Sequence, residues 1–176
     1  MERPRQQSET VFFAKPAADI VVIRIEGRGS NLNSPALQQV TDRFFLENPK
    51  TRFVLDLDNC PAMDSTFMGA LAGITRRQSR AGCGQTVVVN AGEQARRLLE
   101  ILGLCHVLEV REHGPEMAAA PMFEETSALK LSKMDRTVHM IQAHEELVNL
   151  DGENVVKFEG VLQFLKESLD RQQQVK

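Results

Sequence analysis

Residues 52–82 read RFVLDLDNCPAMDSTFMGALAGITRRQSRAG, and the order of their parts decides the fold. Phe53, Val54, Leu55 and Leu57 form an apolar run that closes on Asp56 and Asp58, the pattern of a buried strand over 53–57. Asn59, Cys60 and Pro61 interrupt it. A helix is expected over 66–80, with Leu71, Ile74 and the small Gly69, Ala70, Ala72 and Gly73 on its packing side, and Gly82 ends it. Met63, Asp64, Ser65 and Thr66 stand between strand and helix. A hydroxyl there lies where first-turn N–H groups point outward and the helix dipole is positive, which suits a phosphate. The bland role is also open: Ser65 or Asp64 as a plain N-cap.

Working outward, residues 10–15 and 20–26 (IVVIRIE) read as two strands joined by a turn at 16–19, a hairpin rich in β-branched side chains. Gly27, Arg28 and Gly29 open a G-x-G-x-x-G pattern, but Leu32 replaces the third glycine. The next helix starts only at Ser34, its expected N-cap, with Pro35 at the first helical position. A plain turn is therefore favoured over a nucleotide loop. That helix runs to 46. A strand over 86–89, a helix over 93–102 and a strand over 106–110 follow. The order β-β-α-β-α-β-α-β implies an α/β fold: a mixed β-sheet with helices packed on it, parallel where helices link the strands and antiparallel at the opening hairpin.

The expected division is a domain over 1–111, with 1–9 flexible, a linker over 112–131, and a C-terminal α-helical hairpin over 132–176. The hairpin's helices, 132–150 and 153–171, carry Met134, Val138, Ile141 and Val148, then Val155, Phe158, Leu162, Leu165 and Leu169, at spacings of three and four. Glu145 interrupts the first stripe. Such a pair cannot bury both faces alone, so the stripes pack on the domain or on another subunit. The second is favoured, making the hairpin an element for homodimerisation or partner docking.

Composition narrows the functional classes. Net charge of -3 is too near zero for a nucleic-acid or anionic-membrane binder, and 5% aromatics leaves too few rings for base stacking. Cys60, Cys83 and Cys105 form no C-x-x-C pair, which argues against a zinc site or disulfide framework and fits a reducing cytoplasm. The start has no signal-peptide core, and no apolar run approaches membrane-spanning length. No cofactor or metal is implied.

The segment FVLDLDNCPAMDSTFMGAL resembles the STAS family, anti-sigma factor antagonists in particular. They carry a buried strand, an acidic residue, a short loop and M-D-S-[ST]-G at a helix start. Here these are Asp56 to Asp58, then Met63, Asp64, Ser65 and Thr66. Residues 99–104 (LEILGL) are similar to the family's L-x-x-x-G-L ending. The resemblance covers about the first two-thirds of the chain. It implies a non-catalytic binding module whose serine, Ser65, is phosphorylated by a partner kinase that is also an anti-sigma factor, and reset by a phosphatase. It further implies that Asp58, Asp64, Thr66, Phe67 and Met68 form the partner-binding surface. Phosphorylation adds about -1.5 to -2 charges beside Asp58 and Asp64, enough to dismiss a partner that accepts a neutral hydroxyl. Phe67 departs from the pattern, which has glycine there. It either anchors the partner or packs down on the sheet.

Rival readings are thinner. A receiver domain would use Asp56 as phosphoacceptor, but the acidic pair and lysine it also needs are missing after Glu26 and Val110. His139 and His144 are five positions apart and so do not share a helix face; neither they nor His106 and His113 form a zincin motif. No G-x-S-x-G is present. Arg76, Arg77 and Arg80 make a small basic face, either solvated or set against an acidic partner. An unphosphorylated scaffold subunit, oligomerised through its tail, is the remaining alternative.

Overall fold

The computed structural model describes residues 9–114, 122–126 and 129–174. Strands β1 (Thr10–Ala17) and β2 (Ile20–Glu26) form the antiparallel hairpin. Helix α1 (Ser34–Glu47) leads to β3 (Arg52–Asp56), α2 (Ser65–Arg80) to β4 (Thr86–Val89), and α3 (Glu93–Ile101) with a 3-10 turn (Leu104–His106) to β5 (Leu108–Arg111). β2, β3, β4 and β5 pair in parallel. The order across the sheet is β5-β4-β3-β2-β1-β6. The edge strand β6 (Glu124–Glu125) pairs with β1 within the stretch read from sequence as linker.

Period-two alternation sorts the strand residues. Val21, Ile23, Ile25, Phe53, Leu55 and Val88 join the main core with Leu37, Phe44, Phe67, Leu71 and Leu99 from the helices. Val22, Val54 and Val89 point to the other face, where Phe123 covers them. Buried Gln78 ties the end of α2 to the sheet by accepting from the Phe53 N–H at 3.0 Å.

The C-terminal hairpin is present as α4 (Lys133–Leu150) and α5 (Glu153–Gln174). Ser132 caps α4, accepting from the Asp135 N–H. The α4 stripe packs on the domain of its own chain, α4 lying across α2, and α5 lies on α4. Leu147 reaches the main core and is fully buried. Glu145, the break in the stripe, sits at the α5 seam and pairs with Lys166 at 2.8 Å.

Local boundaries differ where side chains have other work. Asn33, not Ser34, precedes α1, because its carboxamide closes the loop onto the Ser30 N–H and the Arg28 carbonyl. His106 belongs to the 3-10 turn, so β5 begins later than expected. The expectations for residues 1–8, and for residues 115–121 and 127–128 of the linker, lie outside the described residues.

Candidate functional site

The loop between β3 and α2 meets the loop after β2. Gly29 donates its N–H to the Ala62 carbonyl, and its own carbonyl accepts from the Asp64 N–H, both at 2.9 Å. A Cβ on Gly29 would stand 2.8 Å from the Phe67 ring. That close approach explains the glycine without a nucleotide. Phe67 is fully buried, so it packs inward on the sheet; Thr66 and Met68 are buried too. These three side chains, expected on a partner surface, are interior in this conformation. Asp58 is exposed, and its N–H donates to Asp56.

Asp64 is the N-cap of α2: one carboxylate oxygen accepts from the Phe67 N–H at 2.9 Å and the other from the Asn31 N–H at 3.0 Å. The capping role is therefore filled by the aspartate, which leaves the Ser65 hydroxyl for another partner. That partner is His144, whose Nε2 lies 2.9 Å from Ser65 Oγ. The other ring nitrogen, Nδ1, lies 2.7 Å from the Met140 carbonyl. A carbonyl only accepts, so Nδ1 carries a proton, and in the neutral ring Nε2 is then the acceptor to which Ser65 donates. Phe158 of α5 meets the imidazole edge to face, 5.2 Å between centroids. The ring orientation is thus fixed by both helices of the hairpin.

A second histidine does similar work one turn and a half earlier. His139 Nε2 shares a 2.8 Å hydrogen bond with Ser34 Oγ at the start of α1. Burial pushes its pKa below the usual value, with the Asp64 carboxylate opposing in part. Both histidines are buried, at 7% and 2% exposure, although they are five positions apart. The reason is that α4 is enclosed along a wide arc, by α2 and by Ser34 at the start of α1 on one side and by α5 on the other. In the sequence the two histidines carry no metal or catalytic pattern. Their placement beside an apolar stripe was the available signal.

The helices come together because α2 is small where α4 crosses it. A Cβ on Gly69 would overlap the Ala143 carbonyl, standing 2.5 Å from its carbon. Gly73 faces Glu146 one turn on. Two arginines of the basic face of α2 are answered within the chain: Arg76 donates to Glu146, with Nε at 2.7 Å, and Arg77 pairs with Asp42. Asp56 accepts from Arg24 Nε at 3.1 Å, Asn90 Nδ2 at 2.8 Å and the Asp58 N–H at 3.2 Å, so this carboxylate is a structural knot and not a receiver phosphoacceptor. Among the described residues no cluster of three His, Cys, Asp or Glu side chains is placed to hold a metal, and no helix is long and apolar enough to cross a membrane.

No curated protein sequence matches the chain. Among solved structures, a putative anti-sigma factor antagonist from Thermotoga maritima is similar at 21% identity and a TM-score of 0.52, covering 57% of this chain and 85% of its own. The anti-sigma factor antagonist SpoIIAA in its unphosphorylated form is similar at 15% identity and a TM-score of 0.51, covering 59% and 89%. At such identities the likeness is one of fold. A family model of the STAS domain matches residues 14–117, more than half of the sequence. The chain belongs to the STAS domain family.

Proposed function

We propose that the protein is a cytoplasmic anti-sigma factor antagonist, a binding module without catalysis of its own, whose partner binding is switched by phosphorylation of Ser65. One observation carries this reading. Ser65 is the first residue of α2, and Asp64 alone supplies the cap, so the serine hydroxyl is not needed to hold the helix. A phosphate there meets the positive end of the helix dipole and sits beside the Asp64 carboxylate. The partner is a serine kinase that doubles as an anti-sigma factor, and a phosphatase resets the switch. The fold likeness to anti-sigma factor antagonists supports the same role. Asp58 and Asp64 form the negative rim of the partner surface, and Thr66, Phe67 and Met68 shape it from beneath. Intact-mass measurement after incubation with native cell extract and ATP tests it. Wild type gains one phosphoryl group, which the Ser65→Ala variant does not.

A second reading, an unmodified scaffold subunit that self-associates, draws support from α5, where Val156 and Phe164 are 80% and 63% exposed. Sedimentation of wild type beside a Val156→Glu/Phe164→Glu variant separates the two readings: a dimer lost in the variant favours the scaffold.

A further inference from the structure

The tail does more than extend the domain. Ser65 is half-buried beside α4, and the gap between its Oγ and His144 Nε2 holds a proton and nothing larger. The imidazole cannot swing aside while docked, because the Met140 carbonyl and the Phe158 ring hold it and it is buried. The helix carrying it cannot shift by small steps either. The Gly69–Ala143 approach, the Arg76–Glu146 pair and the His139–Ser34 bond fix α4 at three further points.

We infer that the α4–α5 hairpin is a cover acting in cis on Ser65, so that the docked hairpin and an occupant of the Ser65 surface exclude each other. The inference deepens the proposed function and, for the phosphate, rests on Ser65 being the modified hydroxyl. Phosphoryl transfer from a nucleoside triphosphate forms a bond from Oγ to phosphorus, breaks the bond to the bridging oxygen of the leaving diphosphate, and hands the hydroxyl proton to a base of the kinase. A kinase active site must close around Oγ and the first turn of α2, and α4 with its His144 ring occupies part of that space. Transfer therefore requires the hairpin to lift. Once attached, the phosphate fills the place of the imidazole and keeps the hairpin off. Whatever favours the open hairpin exposes Oγ to the kinase, and modification favours the open hairpin in turn; for a partner that binds unmodified Ser65 the coupling to hairpin opening is reciprocal. The partner that binds unmodified Ser65 must likewise displace α4 from α2.

The test uses full-length chains and a probe that needs no kinase. In a Ser65→Cys background, alkylation of position 65 by iodoacetamide is followed by peptide mass mapping. Two changes loosen the cover from outside the serine: Gly69→Ala, which forces a methyl into the Ala143 carbonyl, and Glu146→Arg, which turns the Arg76 pair repulsive and leaves the core untouched. Each is expected to raise alkylation of position 65 by about tenfold or more, with faster hydrogen exchange along α4. Equal alkylation with and without the loosening changes, in variants that remain folded, overturns the cover. A separate arm follows phosphoryl gain at Ser65 in cell extract with ATP. Faster gain in Gly69→Ala and Glu146→Arg is expected. Unchanged gain overturns the cover, whereas no gain in any chain while α4 opens overturns the phosphorylation reading and leaves the cover standing.

Discussion

Gly69 of α2 and Ala143 of α4 meet backbone to backbone, with no room for a Cβ between them. This contact sets two effects of a Gly69→Ala change against each other. By helix propensity alone, alanine stabilises α2 by up to about 1 kcal/mol. Overpacking against a backbone atom costs about 1–3 kcal/mol. Backbone atoms give way less than side-chain tips, so the net effect is expected to be destabilising. Denaturant unfolding of Gly69→Ala against wild type checks this; an increase in stability would mean that α4 does not dock where described.

Asp64 and Ser65 are distinguishable as caps. Asp64→Ala removes acceptors for the Phe67 and Asn31 N–H groups and is expected to cost about 1–2 kcal/mol. Ser65→Ala removes a single bond to His144 and is expected to cost less, about 0.5–1.5 kcal/mol. Urea midpoints of the two variants give the order, and a larger loss for Ser65→Ala would return the capping role to the serine.

The buried His139 makes stability depend on pH. Burial is the larger influence and lowers its pKa, while Asp64 opposes. A histidine whose folded pKa lies below its unfolded value of 6.5 binds more protons unfolded than folded just below that pH. Its contribution is therefore complete above pH 6.5 and is lost as pH falls through the folded pKa. Unfolding measured between pH 7.5 and 5.5 should show wild type losing more stability than a His139→Gln chain over the same interval. Parallel pH profiles would contradict the buried neutral ring.

Gly29 answers to Phe67. A Gly29→Ala change places a methyl 2.8 Å from the ring and is expected to cost about 1–3 kcal/mol. Trimming the ring with Phe67→Leu should cost less in the Gly29→Ala background than in wild type, and a double-mutant cycle on thermal stability reads the coupling. Additive effects would separate the two residues.

The strand, loop and helix over 52–82 were legible because each carries its own local signal: an apolar run, a proline break, and a helix with an acidic cap. The parallel sheet followed from helices alternating with strands. What covers the serine was not legible. The stripe on α4 states that a face is apolar and is silent on which surface it meets. The sequence pattern puts Gly69 and Gly73 on one packing side with Leu71 and Ile74, yet α2 is packed on two sides, the large residues toward the core and Gly69 toward α4. The basic face lost its free appearance for the same reason: Glu146 and Asp42, which pair with it, are distant in sequence and adjacent in space. Phe67 points inward because the loop carrying Gly29 leaves a ring-sized space above it, a tertiary fact with no local trace.

Ser65 is the switch residue of the proposed function. Its most direct measurement is peptide-resolved mass spectrometry of the chain after incubation with native cell extract and ATP, comparing wild type, Ser65→Ala and Gly69→Ala. One phosphoryl group at Ser65 is expected in wild type, with faster gain in Gly69→Ala and none in Ser65→Ala. Absence of phosphate at Ser65 in all three, including the chain whose cover is loosened, would contradict it.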